Sequence, residues 1–139
     1  MQMKKIGVLG IIAVGILCFA GCNGSNTITT PLFQTNKLKE AYDWIIETYP
    51  SVTSCFDFAE DGSFISVDTN PYDLDDYFVP NVFDAVEALN DKLGLPDYVW
   101  EEMLQTSAMD GRLSETANGI TVTWKYHPDN GLEATYRNS

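Results

Sequence analysis

The sequence contains little cysteine, histidine or basic charge. Its 139 residues include three cysteines, one histidine and 8 Lys or Arg against 20 Asp or Glu. Three cysteines are too few to cross-link a small secreted scaffold, and one histidine with one free cysteine far away in the sequence excludes the usual zinc sites. A hydrolytic triad needs a base beside a nucleophile, and the only histidine, His127, stands immediately before Pro128 at a predicted hairpin corner. No glycine-rich phosphate-binding loop is present either. We therefore predict a protein that is not an enzyme, with no metal site and no cofactor.

Basic residues are missing above all from the middle of the chain. From Glu40 through Asp91 there are 13 acidic residues and no Lys or Arg. Such a negative field repels nucleic acid and gives no attraction to anionic lipid headgroups. Two interpretations stay open: the charge serves solubility through self-repulsion, or it forms a face for a basic partner or for divalent cations.

Apolar residues are plentiful, at 45% of the chain, and the first of them form one continuous segment. Met1–Lys5 carries two lysines, and residues 6–20 are an apolar run of 15 residues. A basic start followed by a run of this length is typical of a secretory signal peptide, whereas a membrane-spanning helix needs roughly 20 apolar residues. The remaining residues suffice for one globular domain.

The end of that segment, Phe19-Ala20-Gly21-Cys22, resembles the lipobox of bacterial lipoproteins, although the family usually has Leu where Phe19 stands. The resemblance implies that Cys22 receives a diacylglyceryl group, that a further acyl chain such as palmitate can be added, and that the chain is cut before this cysteine. We therefore predict a signal peptide over 1–21, a lipidated cysteine with a flexible tether over 22–36, and a globular domain over 37–139. The protein is expected on the outer face of the cell membrane, held by the lipid on Cys22.

Hydrophobic periodicity predicts the elements of the domain. Helical spacing predicts a helix over 37–49, capped by Asn36, and a second and a third helix after Pro80 and after Pro96. Alternating patterns predict strands over 51–59, 64–67, 112–116, 120–127 and 132–137, with hairpin turns at Asp61-Gly62 and Asn118-Gly119. The order α-β-β-α-α-β-β-β indicates a single two-layer α+β domain. Its sheet should have about five largely antiparallel strands, with the helices on one face.

Two further resemblances concern the domain. Its element order is similar to that of the two-layer sandwiches of the roadblock, longin and profilin-like group. Residues 124–133 look like the C-terminal signature of small lipoproteins from Gram-positive bacteria. Neither resemblance implies an activity.

The loop from Asn70 to Pro80 is the predicted partner-binding element. It joins a strand to a helix, contains no basic residue, and combines carboxylates with aromatic rings: Tyr72, Asp73, Asp75, Asp76, Tyr77 and Phe78. The acids would steer a basic partner, and the aromatics would supply a desolvated anchor. The alternative is that these aromatics close the bottom of the core. The partner is expected to be a basic protein or an envelope polymer.

Other candidate residues have simpler interpretations. Asp68, Asn70 and the three aspartates of the loop offer oxygen ligands for calcium, but their spacing lacks the EF-hand pattern, so a solvated loop is predicted. Cys55 is predicted to be buried filler, and His127 to be a turn residue at a strand end. The function predicted is a membrane-anchored, non-catalytic binding or scaffolding module of the cell envelope. The alternatives are a lipoprotein that binds a small ligand or cation, or an envelope enzyme. A concave apolar cavity of a few hundred Å³ with convergent polar groups would favour the small-ligand alternative.

Overall fold

The computed structural model describes residues 36–75 and 79–139. The predicted signal peptide, Cys22 and the predicted tether up to residue 35 lie outside these residues, as do Asp76, Tyr77 and Phe78. Within the described ranges, no helix has the length and apolar character needed to cross a membrane.

The described part of the chain contains three α-helices, one 3₁₀ helix and five strands. Helix α1 (Lys37–Thr48) is followed by the 3₁₀ helix (Pro50–Cys55) and by strands β1 (Phe56–Phe58) and β2 (Phe64–Asp68). Helices α2 (Val82–Leu93) and α3 (Asp97–Gln105) come next, and strands β3 (Leu113–Ala117), β4 (Ile120–His127) and β5 (Gly131–Asn138) complete the fold. The predicted α+β class and the order α-β-β-α-α-β-β-β are confirmed.

Local sequence signals explain where the helices begin and end. The Asn36 side chain accepts a hydrogen bond from the Leu38 N–H at 3.1 Å, which satisfies one of the free donors in the first turn of α1. Helix α2 ends at Gly94, whose φ of +72° is the left-handed conformation that glycine adopts without a steric penalty. Lys37 then joins the two helices, since its ammonium donates to the Leu93 carbonyl at 2.7 Å.

The predicted strand over 51–59 is wrong in its first half. Residues Pro50–Cys55 form a 3₁₀ helix, and only Phe56–Phe58 is extended. Pro50 fixes a helical φ at the first position, and the Thr53 hydroxyl donates to the Pro50 carbonyl at 2.9 Å. Such local bonds from Ser and Thr hydroxyls compete with sheet pairing, so the apolar alternation did not decide the structure here.

The five strands form one antiparallel sheet in the order β1-β2-β5-β4-β3. After β2 the chain makes α2 and α3 and re-enters the sheet at the opposite edge as β3. Strand β5 then fills the gap between β2 and β4. The two helices are thus part of the crossover between the two edges, and α1 contacts both α2 and the central strands.

Every second residue on the central strands is buried beneath the helices. Ile65 and Val67 on β2, and Ala134 and Tyr136 on β5, are each at most 3% exposed. Two polar pairs lie inside this layer. In the first, the Tyr136 hydroxyl donates to the Asn90 side-chain oxygen at 2.8 Å. The Trp124 ring N–H donates to the Thr106 hydroxyl at 2.8 Å. The helices and one sheet face therefore share a single core.

Candidate functional site

The remaining strand residues point to the other side of the sheet, which we call the open face. They alternate with the core positions, and each of them keeps some solvent exposure. Six of them carry a hydroxyl group: Ser66, Ser114, Thr116, Thr121, Thr123 and Thr135. Strands are spaced about 4.8 Å apart, so side chains paired across strands form rows.

One such row carries hydroxyl side chains on four strands and ends at Asp57 on β1. Ser114 pairs with Thr123, Thr123 pairs with Thr135, and Thr135 pairs with Ser66. Ser114 and Thr123 hydroxyl oxygens are 3.2 Å apart, and the neighbouring Thr116–Thr121 pair is at 2.8 Å. Because a hydroxyl both donates and accepts, this row offers hydrogen bonds of either kind to a flat ligand.

The next row of the open face carries charge. Lys125 pairs with Glu133 on β5, with 2.9 Å between the ammonium nitrogen and the nearer carboxylate oxygen. Glu133 in turn pairs with Asp68 on β2. Burial raises the pKa of Asp68, and repulsion from Glu133 and Asp73 raises it further, while a hydrogen bond from the Asn70 N–H acts in the opposite direction.

A pocket of about 300 Å³ opens at this end of the open face. Leu113 pairs with Trp124, so Arg112, one residue earlier, stands level with Lys125. The polar residues that line the pocket come from three chain segments: Arg112, Lys125, His127, Asn130 and Glu133. Tyr126 also contributes to the lining, although the alternation of β4 puts its side chain on the same side of the sheet as buried Trp124. Two full cations and one carboxylate therefore converge on one concave surface.

Local hydrogen bonds order two segments that carry lining residues. The Ser107 N–H and hydroxyl both donate to one carboxylate oxygen of Asp110, each at 2.7 Å, and these bonds lower the pKa of Asp110. In the turn after β4 the Asp129 N–H donates to Nδ1 of His127 at 3.2 Å. Because Nδ1 accepts, the neutral imidazole carries its hydrogen on Nε2.

The first half of the predicted binding loop lies against the same end of the sheet. The Asn70 amide donates to the Asp129 carbonyl at 2.7 Å, and the Asn130 amide donates to the Asp73 carboxylate at 2.7 Å. Asn130 also lines the pocket, so the loop and the pocket share one residue. Tyr72 is 54% exposed and Asp75 is exposed. The structure thus brings Asp73 next to the pocket, and the loop's role in binding stays a prediction.

Gly131 lets the loop approach the β4–β5 turn closely. Its φ is +77°, and a Cβ built there would lie 2.5 Å from the Thr69 hydroxyl, which accepts the Leu132 N–H at 2.8 Å. We expect Gly131→Ala to lower the free energy of unfolding by about 2–3 kcal/mol, combining left-handed strain with the loss of that hydrogen bond.

Gly119→Ala is the matched control for this substitution. Gly119 has the same φ of +77° with no atom within 4 Å of the built Cβ, so only the strain of about 1–2 kcal/mol should appear. Urea denaturation of both variants measures the difference. Equal losses at the two positions would show that the contact with Thr69 contributes nothing.

Cys55 is 2% exposed, in the 3₁₀ helix rather than in a strand, and burial raises the pKa of its thiol. Its burial confirms the packing role predicted from sequence. Across residues 36–75 and 79–139, no three His, Cys, Asp or Glu side chains group closely enough to hold a metal ion.

The pocket was not predicted, although two signals for it exist in the sequence. Arg112 and Lys125 are two of only six basic residues that follow the predicted signal peptide. The alternation in β4 also puts Lys125 on the solvent-exposed side of its strand.

No family model, curated protein or solved structure matches the chain.

Proposed function

We propose that this chain is a lipid-anchored, non-catalytic binding module on the outer face of the bacterial cell membrane, and that it binds an envelope polymer with the open face of its sheet. The N-terminal sequence up to Cys22 supports the location. The open face supports the binding role, because it combines a flat hydroxyl row with a pocket at one end.

Charge distribution is the observation that carries this proposal. The open face with Arg112 holds three acids, Asp57, Asp68 and Glu133, and three bases, Arg112, Lys125 and Arg137. The whole chain has 20 acids and 8 bases, so the acidic excess lies elsewhere. A near-neutral, hydrogen-bonding surface suits a polymer rich in hydroxyl and amide groups, while the acidic surroundings oppose self-association.

The test is co-sedimentation of the full chain, in detergent, with purified insoluble envelope polymer. Thr123→Lys puts a long charged side chain at the centre of the hydroxyl row and should weaken the apparent affinity at least tenfold, about 1.4 kcal/mol. Thr48→Lys makes the same change at an exposed position at the end of α1 and should sediment like the unmodified chain.

Three results would contradict the proposal. One is a Thr123→Lys variant that has an unchanged melting temperature and still sediments fully. Another is an unmodified chain that stays in the supernatant at every polymer concentration. Reduced sedimentation of both Thr123→Lys and Thr48→Lys would also contradict the proposal, because the effect would then come from added positive charge anywhere on the surface.

A further inference from the structure

Arg112 differs from the other pocket residues in its lack of a protein partner. Lys125 is paired with Glu133 at 2.9 Å, and the Asn130 amide is used by Asp73 at 2.7 Å. No hydrogen bond or ion pair from Arg112 to another residue exists within the described ranges, and its side chain is exposed. A guanidinium presents five N–H donors in a planar fork that matches a carboxylate or phosphate.

The net charge of the pocket selects between these two anions. Arg112 and Lys125 contribute two positive charges, and Glu133 contributes one negative charge. Three further carboxylates neighbour lining residues: Asp73 is hydrogen-bonded to Asn130, Asp129 lies 3.6 Å from His127, and Asp68 pairs with Glu133. They repel a dianion more than a monoanion. A carboxylate therefore fits better than a phosphate.

The geometry points to a carboxylate-binding pocket for an α-amino acid group, either as the free amino acid or as the carboxyl end of a peptide. Arg112 holds the two carboxylate oxygens, and Lys125 supplies the second positive charge. Glu133 accepts a hydrogen bond from the nitrogen on the ligand's α-carbon, which is an ammonium in the free amino acid and an amide in the peptide end.

This inference deepens the proposed function, because the pocket lies at one end of the open face and would hold a terminal carboxylate of the bound polymer. It is tested separately with small probes. The full chain in detergent micelles is titrated with acetate, L-alanine, N-acetyl-L-alanine, L-alaninamide and inorganic phosphate at constant ionic strength. The amide NMR signals of Gly111, Arg112 and Lys125 report binding.

We expect saturable shifts with the three carboxylates and none with L-alaninamide. Comparison of L-alanine with N-acetyl-L-alanine tells the two sources apart: tighter binding of L-alanine indicates a free amino acid, and the reverse indicates a peptide end. Arg112→Gln should weaken the affinity for the tighter-binding probe at least tenfold. The affinity of Arg112→Lys should lie between those of the unmodified chain and Arg112→Gln, because lysine keeps the positive charge but lacks the planar guanidinium donors.

Arg137→Gln is the matched control. Arg137 lies on the same face, with its guanidinium 5.8 Å from the centre of the Phe64 ring, and it does not line the pocket. Arg137→Gln should change the affinity for the tighter-binding probe less than twofold. Three results would overturn the inference: equal shifts with sodium chloride, an Arg112→Gln variant that titrates like the unmodified chain, or phosphate binding more tightly than every carboxylate. If co-sedimentation fails while these titrations succeed, polymer binding by the open face is rejected and carboxylate binding by the pocket is retained.

Discussion

Replacing Tyr136 by alanine should lower the free energy of unfolding by about 3–5 kcal/mol, the usual cost of removing a fully buried aromatic ring. Tyr136 lies on the central strand β5 and is 0% exposed. Its hydroxyl donates to the Asn90 side chain at 2.8 Å, so the truncation also leaves a buried oxygen without its donor. For a domain of this size the melting temperature should fall by more than about 12 °C, measured by circular dichroism.

Two variants separate the ring from the hydroxyl. Tyr136→Phe keeps the ring and should cost about 1–2 kcal/mol, because only the bond to Asn90 is lost. Tyr126→Ala removes the same side chain from the adjacent strand β4, where it is 36% exposed, and should cost clearly less than Tyr136→Ala. Equal losses for Tyr136→Ala and Tyr126→Ala would contradict the packing described for the core.

Burial also raises the pKa of Tyr136 far above its ordinary value. The neutral hydroxyl is therefore favoured in the folded state, so its contribution is complete below the unfolded pKa of about 10. It is lost as the pH rises above that value. Tyr136→Phe should show a shallower loss of stability above pH 10.

The second large effect is expected at Cys22. Cys22→Ala should abolish incorporation of a labelled fatty acid and release the protein from the membrane fraction. Each buried methylene contributes about 0.8 kcal/mol, and two acyl chains hold a protein stably where one binds reversibly. Metabolic labelling followed by fractionation measures both effects.

Cys18→Ala is the control for that experiment. Leu17, just before Cys18, is too bulky for the small-residue position that precedes a lipidated cysteine, so this variant should stay labelled and membrane-bound. A Cys22→Ala chain that remains in the membrane fraction to the same extent would indicate that the apolar run over 6–20 is itself the anchor.

Local signals in the sequence were sufficient for most elements of the fold. The Asn118-Gly119 turn has φ values of +51° and +77°, as a two-residue hairpin with two left-handed positions requires. Asn36 caps α1 and Gly94 ends α2 because these signals act within one turn of the chain. The segment 50–55 differs because its apolar spacing fits a strand, while Pro50 and its neighbouring hydroxyls favour a tight helical turn.

One part of the candidate site depended on a contact that no local pattern encodes. Strand β5 pairs with β2, and this long-range pairing aligns Asp68 with Glu133. The positions of Arg112 and Glu133 on either side of Lys125 follow instead from the β3–β4 and β4–β5 hairpins, which are local. The sequence predicted the loop from Asn70 as the binding element, and the structure adds the open face and its pocket as a second candidate, adjacent to that loop.

The most direct test of the central claim is to map the contact surface by amide NMR while soluble fragments of the envelope polymer are added to the full chain in detergent. The account predicts that the signals of Thr121, Thr123 and Thr135 shift first and saturate together, while those of α2 stay unchanged. Shifts that are confined to the helices, or to residues 72–75 of the loop, would contradict it.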